Sequence, residues 1–134
     1  MNRKALQRAG NGLNKALASV PLLIALCGCK KPPDQQHFVP QASVERGKAA
    51  IERVGCGACH SIPGISWPKG HVGPSMQGFA RQTLIAGKVS NRPDILADFV
   101  RDAPAVVPGS GMPPMPLTQQ ESRDVAAYLY SLRS

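Results

Sequence analysis

The chain has 134 residues, which is enough for one domain and too short for two of ordinary size. Its 16 Lys and Arg against 8 Asp and Glu give a formal charge of +8. Residues 1–28 hold four of the basic residues and none of the acidic ones, so the net charge without them is +4. At this modest charge, no nucleic-acid partner is expected. A low aromatic content of 4%, with 13 Gly and 13 Pro, predicts a small core that side chains alone stabilise poorly, and it disfavours a coiled coil, a collagen, a multi-pass membrane protein and a large enzyme.

The beginning of the chain has the pattern of an export signal. A basic start is followed by twelve almost entirely apolar residues, a run too short to span a bilayer, which needs about 20. Gly28 before Cys29 resembles the cleavage site of bacterial lipoproteins, whereas Leu26 before Cys27 fits poorly because a small residue is preferred there. We therefore expect a lipoprotein signal peptide at 1–28 and a lipidated Cys29; an export signal with unmodified Cys29 is the alternative.

Segment 29–43 is expected to be a semi-extended tether, because it is polar, holds three prolines and shows no apolar period. Its His37 is expected to be solvated and without a role. Lys30 and Lys31 stand in place of the aspartate that often keeps lipoproteins on the inner membrane, which favours the outer membrane. The expected location is the periplasmic side, with a lipid anchor.

Residues 44–134 are expected to form the folded domain. Ser43 suits the N-cap of a first helix, and residues at spacings of 3, 4 and 3 give that helix one buried face, which ends near Gly55. The residues of this face are Val44, Gly47, Ile51 and Val54. Gly47 is expected to mark the crossing of the first and last helices.

Two further main helices are predicted. Apolar residues at helical spacing predict one over 93–102, ended by Pro104. The Thr118–Glu121 capping box begins the other, whose apolar spacing continues to Leu132. A short helix is also predicted over 79–86.

Long loops are predicted over 61–78 and 103–116, which are rich in Gly and Pro, and no run alternates long enough to indicate a strand. The fold class is therefore all-α. Loops this long in so small a domain indicate that they wrap a large buried cofactor.

Cys56, Cys59 and His60 belong to the sequence CGACH, which is the attachment signature of c-type haem. Two thiols at this spacing can each add to one vinyl group of the porphyrin, and the adjacent imidazole can ligate the iron. A thioredoxin-like pair would need a preceding strand, a zinc site would need a second pair of ligands, and a structural disulfide would leave His60 unexplained.

Residues 44–133 resemble the class I c-type cytochromes. The resemblance rests on a helix that leads into CGACH, a loop with Gly73-Pro74, a methionine in a proline-rich loop and a last helix that contains VAAYLYSL. It implies the cytochrome c fold, with three main helices and long loops around one covalent haem c, and a role in electron transfer.

The resemblance also implies the sixth ligand of the iron. Met112 is expected to take this position, because prolines follow it directly, as in similar cytochromes. Met115 is the alternative ligand in the same loop. Met76 is expected to pack in the core instead.

One further haem contact follows from the same resemblance. The carbonyl of Pro74 is expected to accept a hydrogen bond from the second ring nitrogen of His60. From their own chemistry, Arg81 and Trp67 are candidates to meet the haem propionates, since both side chains donate hydrogen bonds; a surface arginine and a partly buried loop tryptophan are the alternatives.

We therefore expect a one-electron carrier with no enzymatic activity of its own. Its expected partners are redox proteins: a terminal oxidase, a quinol-oxidising complex or a periplasmic dehydrogenase. A cytochrome subunit fixed in a larger oxidoreductase is the alternative. An open-site haem enzyme or gas sensor is a third, which requires that Met112 does not ligate the iron.

Overall fold

The computed structural model describes residues 35–134. The expected signal peptide and Cys29 therefore lie outside the described residues. The helices are α1 (Val44–Val54), α2 (Pro93–Arg101), α3 (Ala103–Val106) and α4 (Gln119–Ser131), and the strands are β1 (Leu84–Ile85) and β2 (Val89–Ser90). Between residues 35 and 134, no helix is long and apolar enough to cross a membrane. The all-α prediction is confirmed, with one small hairpin added.

Helix α1 begins and ends at the residues that its sequence indicates. The Ser43 hydroxyl accepts a hydrogen bond from the backbone N–H of Arg46, which satisfies one of the free donors of the first turn. Gly55 ends the helix at φ 77°, and its N–H donates to the carbonyl of Ile51. Gly47, Ala50 and Ile51 are buried on one face.

Helix α4 begins with the predicted capping box. Thr118 and Glu121 each accept a hydrogen bond from the other's backbone N–H. The helix crosses α1 at Gly47, where an added Cβ would lie 2.6 Å from the carbonyl carbon of Asp124 and 3.0 Å from Cβ of Tyr128. Only a residue without a side chain permits so close a crossing.

The loop predicted over 103–116 differs from the structure at its start, where α3 follows α2 directly. The Asp102 side chain caps α3 by accepting from the N–H of Ala105. Pro104 lies in the first turn of α3, where its missing N–H costs nothing. Pro104 therefore follows the end of α2, as predicted, and also lies at the start of the short helix α3.

The helix predicted over 79–86 is replaced by a 3-10 turn, Phe79–Arg81, and the antiparallel hairpin of β1 and β2. Leu84 pairs with Ser90, and Ile85 pairs with Val89. Ala86 and Gly87 form the turn with φ 50° and 66°, the left-handed pair typical of tight hairpins.

The segment directly before α1 packs on the domain. The tether that the sequence predicts over 29–43 therefore ends before Ser43. Val39 is 7% exposed within the core, and the His37 ring stacks on Tyr130 with centroids 4.4 Å apart. The backbone N–H of Ser43 donates to the buried carboxylate of Asp124 at 2.8 Å. His37 thus contacts an aromatic ring of α4, contrary to the expectation that it is solvated.

Candidate functional site

A cavity of about 480 Å³ lies between the loops and the inner faces of α1, α2 and α4. This volume falls in the range of roughly 300–1,000 Å³ that is usual for sites of small molecules and cofactors. Its wall is predominantly apolar and contains no Asp, Glu, Lys or Arg. The side chains with ligand chemistry on this wall are Cys56, Cys59, His60, Met76, Met112 and Met115.

The two cysteines and the histidine reach the cavity from one tight turn. Helix α1 ends at Gly55, and a 3-10 turn over Cys56–Ala58 follows it at once. The backbone N–H of His60 donates to the carbonyl of Cys56 at 3.0 Å, which closes the turn. Cys59 is exposed, whereas burial raises the pKa of the Cys56 thiol and keeps it neutral at pH 7. The turn thus brings both thiols and the His60 imidazole to the wall of one cavity, where they would hold a group attached at the two sulfurs.

The imidazole of His60 is held from two sides. Its Nδ1 lies 2.8 Å from the carbonyl oxygen of Pro74, which can only accept, so Nδ1 is the donor; in the neutral imidazole, Nε2 is then the nitrogen with the free lone pair. Gly73 packs on the ring so closely that an added Cβ would lie 2.6 Å from Nδ1 and 2.9 Å from Nε2. The backbone N–H of Gly73 donates to the carbonyl of Cys59 at 2.8 Å. This arrangement orients a nitrogen ligand of the kind that haem iron takes.

Two thioethers reach the same cavity from the proline-rich loop. Met112 and Met115 are both partly buried and line the wall. The backbone N–H of Met112 donates to the Ser110 hydroxyl at 3.3 Å, and that of Met115 donates to the carbonyl of Arg101 at 2.9 Å. Met76 is more buried, at 9% exposure, and belongs to the core as well as to the wall.

Two of the expected haem contacts do not line this cavity. Trp67 is 83% exposed, and the Arg81 guanidinium donates to the carbonyl of Arg133 at 2.6 Å. The polar side chains that do line the wall, besides His60, are Gln82 and Ser110. Sequence reasoning missed both, because a single Gln or Ser in a loop has no distinguishing spacing.

The residues of the cavity fit a covalently attached haem. Two thiols separated by two small residues, an oriented imidazole on the same turn and soft thioether sulfurs on the wall are the donor set that a c-type haem uses. The predominantly apolar lining suits the porphyrin plane.

Comparison with known proteins supports the same assignment. Residues 44–133 match the cytochrome c family model. Cytochrome c-551 of Ectopseudomonas mendocina is 31% identical over 88 residues, which cover 65% of this chain and 98% of that protein. Cytochrome c oxidase subunit 2 of Alkalihalophilus pseudofirmus is 28% identical over 89 residues, which cover 66% of this chain and only 25% of that protein.

A solved structure also shares the fold. The crystal structure of SoxXA from P. pantotrophus superimposes with a TM-score of 0.52 at 21% identity, over 69% of this chain and 83% of that chain. At this identity the similarity concerns the fold alone. The match over residues 44–133, the apolar cavity, the CGACH turn and the shared fold agree with one another. The chain belongs to the cytochrome c family, binds one covalent haem c and serves in electron transfer.

Proposed function

We propose that the protein is a one-electron carrier of a periplasmic or respiratory chain, with His60 and Met112 as the axial ligands. The observation that carries this proposal is the composition of the cavity wall: it offers an imidazole and thioethers but no Asp, Glu, Lys or Arg. A wall without such groups supplies little acid–base chemistry for turnover of a substrate. Filling both axial positions with protein side chains suits electron exchange instead.

When bound, the haem supplies the exchange of one electron between Fe(III) and Fe(II). The chain's own residues set the conditions for it. The Pro74 carbonyl orients His60 and makes its ring a better donor, while a thioether favours the reduced iron. Pro113 and Pro114 stiffen the loop that presents Met112. The wall on which both side chains lie is predominantly apolar.

A matched pair of variants tests the ligand. In the holoprotein, Met112→Ala is expected to abolish the far-red charge-transfer band of Met-ligated Fe(III), to lower the reduction potential and to let the reduced protein bind CO. Met115→Ala, which removes the same side chain three residues away, is expected to leave all three unchanged. The reverse pattern would identify Met115 as the ligand. Retention of the band in both single variants would exclude both.

A second candidate function is that of a cytochrome subunit in a larger oxidoreductase. It is favoured by the similarity to an oxidase subunit of which this chain covers only 25%. Purification from native membranes in mild detergent distinguishes the two: a carrier separates as a small protein, whereas a subunit stays with its larger partners. An open-site enzyme or gas sensor is disfavoured by the two thioethers on the wall.

For the location, we propose export and lipidation at Cys29, with the domain on the periplasmic side and Lys30 and Lys31 favouring the outer membrane. The partners would then be a terminal oxidase, a quinol-oxidising complex or a dehydrogenase, and the lipid would hold the carrier near those in the membrane. Intact mass of the membrane fraction tests acylation. Cys29→Ala is expected to move the protein to the soluble periplasmic fraction, and unchanged fractionation would contradict the anchor.

A further inference from the structure

The loop over residues 66–72, here called the docking loop, exposes two large apolar side chains. Trp67 is 83% exposed and Val72 is 89% exposed. These are the two most exposed large apolar side chains between residues 36 and 134. A tryptophan is highly buried in most proteins, so a side chain of this size that is left 83% exposed is unusual. The chain has only this one tryptophan, and the core does not use it.

The docking loop is held against the cysteine-bearing turn. The N–H of Gly70 donates to the carbonyl of Gly57 at 2.7 Å, and an added Cβ at Gly57 would lie 2.6 Å from the carbonyl oxygen of Pro68. Val72 lines the cavity while remaining exposed, so it lies at the cavity mouth. The loop therefore presents Trp67 beside the attachment site in a fixed position. A preorganised anchor loses less conformational entropy on binding.

Along the chain, the charge near this loop has one sign. From Val54 to Pro93 the chain contains no Asp or Glu, and every acidic residue of the described part lies outside this stretch. Lys69, in the docking loop, forms no ion pair with any residue from 36 to 134, and it is exposed. In contrast, Arg53 and Arg92, at the two ends of the stretch, are each paired with a carboxylate. The loop thus combines an apolar centre with an uncompensated positive charge.

We propose that the docking loop is the contact surface for the redox partner, and that this partner carries an apolar depression rimmed by carboxylates beside its own redox centre. Trp67 enters the depression and Lys69 faces the rim. Aromatic side chains act as such anchors in small, transient interfaces, while rim charges govern the rate of encounter. The inference rests on the proposed role as an electron carrier.

The test follows reduction of the holoprotein by reduced flavodoxin, an acidic protein with an exposed flavin edge, in a stopped-flow experiment at several ionic strengths. Trp67→Ala is expected to lower the second-order rate constant about tenfold, in line with loss of an interface anchor. Phe38→Ala, a control at an apolar residue 58% exposed outside the loop, is expected to stay within about twofold of wild type.

A charge pair completes the experiment. Lys69→Glu is expected to slow the reaction at low ionic strength and to approach wild type at high ionic strength. Lys48→Glu on α1 changes the total charge by the same amount and is expected to have the smaller effect. Equal effects of Lys69→Glu and Lys48→Glu would overturn the steering role of the loop, because only total charge would then matter.

Reduction by hexaammineruthenium(II), a small cation that needs no docking surface, separates the two proposals. Trp67→Ala is expected to match wild type with this reagent and in reduction potential. If wild type reacts with both reagents and Trp67→Ala matches Phe38→Ala with flavodoxin, the docking inference is overturned and the carrier function stands. If wild type accepts electrons from neither reagent, the carrier function itself fails.

Discussion

Substitution of Gly73 by alanine tests how the fold controls the orientation of His60. The added methyl carbon would lie 2.6 Å from Nδ1 and closer still to Cε1 of the imidazole, whereas non-bonded heavy atoms rest at about 3.5–4.0 Å. The ring must therefore move by roughly 1 Å, since residue 73 is tied by its N–H to the carbonyl of Cys59. That movement breaks the hydrogen bond from Nδ1 to the Pro74 carbonyl.

The expected cost is a sum of two effects. Overpacking at a fixed backbone costs about 1–3 kcal/mol, and the lost hydrogen bond about 1 kcal/mol, so Gly73→Ala should lose roughly 2–4 kcal/mol of unfolding free energy. For a domain of this size the melting temperature should fall by at least about 8 °C. Thermal unfolding followed by circular dichroism measures this loss, and the optical spectrum and reduction potential of the holoprotein should shift with it.

Gly87→Ala is the control for Gly73→Ala. Gly87 has φ 66° and no atom within 4 Å of an added Cβ, so alanine there should cost about 1 kcal/mol without touching His60. Its spectrum and potential should equal those of wild type. A Gly73→Ala protein with wild-type spectrum, potential and melting temperature would refute the account of a clamped imidazole.

Three further outcomes are expected from equilibrium unfolding. Gly47→Ala should lose about 3 kcal/mol or more, because its methyl group meets the backbone of Asp124 and forces α1 away from α4; a loss under about 1 kcal/mol would contradict so close a crossing. Burial raises the pKa of Asp124, but hydrogen bonds from Arg46, Ser43 and Gln120 outweigh this effect and hold the pKa in the folded protein below 3.8. The carboxylate therefore stabilises the fold at pH values above the pKa that Asp124 has in the unfolded chain. This stability is lost as the pH falls through the pKa of the folded state. Asp124→Asn should therefore cost about 2 kcal/mol at pH 7 and approach wild type near pH 2; a constant difference across this range would oppose the assignment. Ala86→Asn should gain about 0.5–1 kcal/mol, since asparagine tolerates the left-handed φ of 50°, and a loss would show that residue 86 is not strained.

Much of the helical scaffold could be predicted because its signals are local. The Ser43 cap, the Gly55 stop and the Thr118–Glu121 box each act within one or two turns; Ser43 and the box begin a helix, and Gly55 ends one, where the sequence indicates. The CGACH turn is equally local, since its spacing alone brings two thiols and an imidazole to one side of the chain. These features need no knowledge of distant residues.

The remaining features depend on contacts that no local pattern reveals. Strands of two residues are too short for alternation to be visible, so the hairpin at Ala86 and Gly87 could be found only from its turn. Val39 stands in a proline-rich polar segment and is buried because the core lies beside it. The hydrogen-bonding chemistry of Arg81 and Trp67 makes both candidates for haem contacts, but which loop side chains line the cavity depends on tertiary packing.

The contact between α1 and α4 sets an order of events in biosynthesis. Arg46 and its partner Asp124 are 78 residues apart, so α1 emerges well before α4 is available to pack on it. The CGACH segment lies between them in sequence and remains unenclosed during that interval. Both thiols are therefore reachable before α4 packs on α1, and Cys59 stays exposed in the folded domain afterwards.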